Sequence, residues 1–235
     1  MIFVSFSNKD RHRYDKNHKL GKIITLFLPD TFIEIMEKII KSSLDKSMSY
    51  QAYRDLMIEL VENNSTTGND KSEAMAEYTK LNDRRMKRWD KTIKISEEAK
   101  ETFSNLDAKQ TWLVITESWC GDAAHVVPVM NKLAELNENI NFKVVLRDDN
   151  DALMNQFLTN GGKAIPKLIM LDETSNKVIN SFGPRPAEAT QMVVDYKAKH
   201  GKITPEFKEE LQLWYNKDKG QSVVKDLVKM QAVTV

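Results

Sequence analysis

A chain of 235 residues is too long for one minimal domain and too short for two large ones, so one compact domain with helical additions is expected. Hydrophobic residues make up 41% and charged residues 29%, which excludes a disordered chain, and a net charge of +1 argues against whole-chain binding of a polyanion. Cys120 is the single cysteine, which rules out an intramolecular disulfide and any zinc or iron–sulfur site built from several cysteines of one chain. Redox chemistry in this chain has to borrow its second sulfur.

Residues 1–22 are polar and basic, and the apolar run 23–28 is cut short by Pro29 and Asp30 and followed by Glu34 and Glu37. The run is too short for a signal-peptide core and no small-residue cleavage site follows it. Neither secretion nor a membrane span is expected, and the default address is the cytoplasm. Residues 1–30 read as a flexible tail, with a start at Met36 left open.

A helical extension is expected over 31–91, broken by the polar, turn-rich stretch 63–70. Tyr50, Tyr53, Met57, Leu60 and Val61 mark one buried helix face, and Met75, Tyr78, Leu81, Met86 and Trp89 another. Asp70 with Glu73 resembles a capping pair opening the second helix. Residues 92–95 are β-like, and Ser96 is the expected N-cap of a helix ending near Leu106.

From 107 onward strands and helices alternate. Residues 112–116 read as a buried strand, 123–136 as a helix, 142–146 as a second strand and 152–158 as another helix. Residues 167–171 and 177–182 form a strand pair around the polar turn 172–176, before a helix over 187–199. In the last segment, 201–235, Thr204 as N-cap and Pro205 at the first helical position open a helix with an apolar stripe of Phe207, Leu211 and Trp214.

The chemistry gathers at Trp119-Cys120-Gly121-Asp122-Ala123, where the first buried strand runs into a helix carrying Pro128. Segment 112–130 resembles the strand, W-C-G-P-C motif and kinked helix of the thioredoxin superfamily, and Ile165-Pro166 before an apolar strand matches its cis-proline loop. The resemblance spans roughly 92–200 and points to a bacterial thioredoxin-like subgroup with a helical N-terminal extension. It implies an α/β thioredoxin-like fold, with a mixed central sheet flanked by helices and further helices at both ends. Three departures limit the carry-over: Ala123 stands at the place of the resolving cysteine, Asp122 at that of proline, and Val114 at that of the central-strand aspartate. A lone Cys120 can attack a substrate disulfide, but an outside thiol must finish the exchange.

Helix N-terminal N–H groups favour the Cys120 thiolate, whereas the Asp122 carboxylate disfavours it. Asp122 reads equally as an ordinary first-turn acid and as a proton-transfer group for a leaving thiol. Trp119, Gly121, Ile165 and Pro166 would shape a groove for the partner. Arg147, ending the second strand, is a candidate partner contact or an ion pair with Glu117 or Asp148. His125 should point away from the sulfur, about 140° round the helix. The basic run Lys80, Arg84, Arg85, Lys87, Arg88, Lys91 and Lys94 against Asp83 and Asp90 reads as a solvated helix face, not a nucleic-acid surface.

Two functions compete. One is a monothiol disulfide exchanger acting on protein or small-molecule thiols, glutathione among them, with no resident cofactor and no metal. The other is a redox-inactive thioredoxin-fold binding module. A third reading places a cluster between Cys120 of two chains and external thiols. The missing sulfur at Ala123 leaves enzymatic turnover open, and the sequence sets no oligomeric state.

Overall fold

The structure, a computed structural model, describes residues 29–232. All but the end of the expected 1–30 tail lies outside these residues. By its internal contacts the chain separates into two units, Met1–Ile39 and Ile40–Val235, and all four strands lie in the second.

The described residues hold nine helices and four strands. In chain order they are α1 (Pro29–Asp45), α2 (Tyr50–Glu62), α3 (Glu73–Thr92), α4 (Glu97–Ser104), β1 (Gln110–Thr116), α5 (Ala123–Ala134), β2 (Ile140–Leu146), α6 (Asp151–Met154), β3 (Lys167–Asp172), β4 (Val178–Phe182), α7 (Ala187–His200), α8 (Pro205–Asp218) and α9 (Gln221–Ala232). The strand order is β2-β1-β3-β4: β1 runs parallel to β2 and antiparallel to β3, and β3 pairs antiparallel with β4. This is the mixed, helix-flanked sheet expected.

Every residue of β1 is buried, as its unbroken apolar run requires of a central strand with both faces covered. Trp112, Leu113, Val114 and Ile115 have no exposed surface. Helix α5 packs on β1 and β2 with one side and meets α3, α4 and α9 with others, so it is buried almost all round. The exposed edge of β2 is closed by Met48, whose N–H and C=O both bond Val144 at 2.9 and 2.8 Å.

Four local expectations need correction. Residues 93–95 form no strand: α3 runs on to Thr92 and the Ile93 N–H bonds Trp89 O at 3.1 Å, and β-branched composition without a free sheet edge to join does not make one. Asp70 does not cap α3 with Glu73. It accepts the Ser72 N–H at 2.9 Å, and Ser72 takes the N-cap position. The helix expected over 152–158 stops at Met154, because a tight turn follows in which Thr159 and Gly162 exchange bonds of 2.9 and 3.0 Å. On α3, Tyr78 and Leu81 are exposed, and the buried face is Ala76, Thr79, Asn82, Met86 and Trp89.

The polar members of that face explain the last correction. Ser118 Oγ lies 2.7 Å from Thr79 Oγ1 and 3.1 Å from Thr66 Oγ1, and accepts the Thr67 N–H at 3.0 Å. Asn82 donates to Ser118 O at 2.9 Å. A closed set of hydrogen bonds makes these buried groups admissible in the core. It also fastens α3 and the 63–70 stretch to the backbone just ahead of Cys120.

Candidate functional site

Strand β1 ends at Thr116, and a turn closed by the Cys120 N–H bonding Glu117 O at 3.2 Å delivers the cysteine to the start of α5. The Ala124 N–H then bonds Cys120 O at 3.2 Å, continuing the helix. Cys120 is 7% exposed, and its thiol donates to Ile165 O at 3.3 Å. The Ile165–Pro166 peptide is cis, and Ile165 and Pro166 are both buried beside the sulfur's loop. Cys120, Ile165 and Pro166, distant in sequence, are thus brought together.

Burial pushes the Cys120 thiol up to about 12, and the nearby Asp122 charge pushes the same way. The Ala123 and Asp122 backbone N–H groups and the Arg185 guanidinium work against this without reversing it. The sulfur therefore rests as a thiol at neutral pH. The helix N-terminus acts as expected but loses to desolvation.

Asp122 makes no capping bond to its own helix. Its Oδ2 pairs with Arg185 Nη2 at 2.6 Å and its Oδ1 accepts from the Tyr215 hydroxyl at 2.9 Å. Burial raises the Asp122 carboxyl above its ordinary value, with Arg185 and Tyr215 pulling it back. Desolvation works to lower Arg185, but the Asp122 charge carries it above its ordinary value. The Tyr215 ring stacks on His125 with centroids 4.5 Å apart.

His125 is buried and turned toward the extension. Its Nδ1 accepts from Trp89 Nε1 at 2.9 Å, which leaves Nε2 as the protonated nitrogen facing Gln212 Oε1 at 2.7 Å. Burial, reinforced by the Arg85 and Arg88 charges, lowers it to about 4. It is a packed neutral histidine.

Arg147 lies across Trp119, 4.9 Å from the ring centroid, and its Nε donates to Asp148 Oδ1 at 2.7 Å. The ion pair with Asp148 is the one that forms. Asp148 Oδ2 accepts the Asn69 N–H and its own N–H bonds Glu117 Oε1, both at 2.9 Å. Trp119 and Arg147 thereby form a second cluster, held by the 63–70 stretch.

Several residues at the site carry no local sequence signal. Arg185, Tyr215, Gln212 and Arg85 sit on other elements, and only the tertiary arrangement places them beside the motif. Among the described residues no group of three or more His, Cys, Asp or Glu is placed to hold a metal ion. No described helix is long and apolar enough to cross a membrane.

Residues 68–200 match a protein family described as Thioredoxin. Among solved structures, a protein of unknown function from Pseudomonas aeruginosa aligns with a TM-score of 0.52 at 15% identity, covering 80% of this chain and 99% of that one. The likeness is one of fold. An HIV epitope-scaffold aligns with a TM-score of 0.48 at 18% identity, covering 78% of this chain and 97% of that one. No curated protein matches the chain.

Proposed function

The chain belongs to the thioredoxin family, and from that premise we propose that it is a single-cysteine thiol protein whose Cys120 forms a mixed disulfide with a protein or low-molecular-weight thiol. The carrying observation is the Cys120 thiol against Ile165 O at 3.3 Å, on the loop of the cis Pro166 peptide. A partner laid along that loop would bring its sulfur to Cys120.

In the exchange, the deprotonated Cys120 sulfur attacks one sulfur of a disulfide. That S–S bond breaks, a Cys120–S–S bond forms, and the other sulfur leaves as a thiolate that takes up the proton Cys120 lost. A second, external thiol then attacks the mixed disulfide and regenerates Cys120. Ala123 offers no sulfur for this step, so the adduct persists until such a thiol arrives. The setting assumed is a reducing compartment such as the cytoplasm, where glutathione supplies that thiol.

Treatment with glutathione disulfide at pH 8 is expected to add one glutathione to the intact protein, located on Cys120 by mass spectrometry. Absence of any adduct on the folded protein overturns the reading. The competing reading, a redox-inactive docking module, draws on the thiol's rise to about 12 and on Ala123. If Cys120→Ser leaves the fold intact but abolishes a binding or cellular phenotype, the docking reading is lost.

A further inference from the structure

Resting on Cys120 as the reacting sulfur, we infer that its disulfide partner carries a carboxylate or similar anion, received by the Arg85 guanidinium and the Gln212 amide beside Gly121. A Cβ placed on Gly121 would stand 3.8 Å from Arg85 Nη1 and 3.9 Å from Gln212 Nε2, with nothing closer. The half-buried Gly121, next to Cys120, is therefore flanked by two hydrogen-bond donors at ordinary contact distance. The Gln212 Oε1 is held by His125, and this leaves its Nε2 turned toward Gly121.

The positive charge here is uncompensated. Arg85 is half-buried, and its Nη1 donates to the neutral Asn82 Oδ1 at 3.0 Å. Among the described residues no carboxylate pairs with Arg85 or with Arg88 one turn further on. The neighbouring acids of α3 are taken by α2: Arg54 binds Asp83 at 2.9 Å and Asp90 at 3.1 Å. Asp122 is taken by Arg185 and Tyr215, while Arg185 Nε remains buried without a partner. Burial and the like charge of Arg88 both press Arg85 below its ordinary value, as expected for a partly desolvated cation lacking a counter-ion. A carboxylate would supply that counter-ion and accept the guanidinium in a two-point fork.

Because Cys120 is the chain's single cysteine, every thiol reagent reports on it alone. The experiment follows the reaction of the full chain with three disulfides: dianionic 5,5′-dithiobis(2-nitrobenzoate), neutral 4,4′-dithiodipyridine and cationic cystamine. The attacking sulfur, the broken S–S bond and the departing thiolate are the same in kind for all three. The expected order is anionic over neutral over cationic after correction for each reagent's reaction with a free thiol. Arg85→Met should lower the anionic-to-neutral ratio about tenfold, with recovery in Arg85→Lys. Raising salt to about 0.5 M should compress the same ratio in the unaltered protein, a readout that needs no variant. A neutral reagent that reacts while the ratio ignores both salt and Arg85 overturns this inference and leaves the thiol reading standing. Failure of all three reagents on the folded protein overturns both.

Discussion

The Tyr215 hydroxyl donates to Asp122 Oδ1 at 2.9 Å, tying α8 to the cysteine turn across 93 residues of sequence. Asp122 in turn holds Arg185 at 2.6 Å, so α8, the loop after β4 and the start of α5 meet on one carboxylate. Tyr215→Phe removes a single donor from a buried anion while keeping the ring that stacks on His125. A loss of about 1–2 kcal/mol in unfolding free energy is expected, read as a lower denaturant midpoint at unchanged slope. A midpoint within error of the parent protein would mean that the bond contributes nothing.

Asp122 also governs the sulfur. Its charge adds to burial in raising Cys120, whereas Arg185 opposes them. Asp122→Asn removes the opposing charge and leaves Arg185 facing the thiolate, so the rate of alkylation by iodoacetamide at pH 8 should rise by about tenfold or more. Arg185→Met should move the rate down. If Asp122→Asn leaves the pH profile of alkylation where it was, the carboxylate does not act on Cys120.

His125 gives stability a pH dependence of known sign. It is neutral and buried with a value of about 4 against an ordinary 6.5, so between those values the unfolded chain binds a proton that the folded protein refuses. Its contribution is intact above pH 6.5 and is lost as pH falls toward 4, amounting to about 3 kcal/mol below that. The raised carboxyls of Asp122 and Glu117 act with the opposite sign, so the comparison is with His125→Gln across the same range. The stability difference between the two proteins should shrink as pH drops from 6.5 to 4; a constant difference refutes the assignment.

In the proposed exchange reaction, Ala123 stands where a resolving sulfur would act. It lies three residues after Cys120 in the first turn of α5 and is 2% exposed. That spacing gives a Cα separation of about 5 Å, within the range a disulfide spans. Ala123→Cys is expected to yield a dithiol that forms an internal disulfide and reduces insulin catalytically with dithiothreitol, at least tenfold faster than the parent chain. Equal turnover by the parent chain would show that an internal resolving sulfur is not what it lacks.

The strand-helix order, the buried β1, the cysteine at the head of α5 and the Thr204–Pro205 start of α8 were legible in the residues themselves, because each rests on local rules. An unbroken apolar run has to be a covered strand, and a hydroxyl accepting the N–H three residues on has to open a helix, as Thr204 does for Phe207 at 3.3 Å. The misread stripe on α3 shows where such rules stop. Thr79 and Asn82 look like solvent residues until Ser118, from a different part of the chain, supplies their partners.

The sequence by itself therefore determined the fold, the position of the single cysteine at the head of α5 and the absence of a second sulfur in the chain that could pair with it as a cysteine. Only the tertiary structure decided the electrostatics of that sulfur. The N-terminal dipole of α5 is a local property and favours the thiolate, but burial depends on what covers Cys120. The charges that tune it, those of Asp122 and Arg185, are brought together with Tyr215 from segments remote in the chain. Desolvation and pair interactions scale with distance in space rather than in sequence, and that is why the single cysteine could be located from the residues while its reactivity could not.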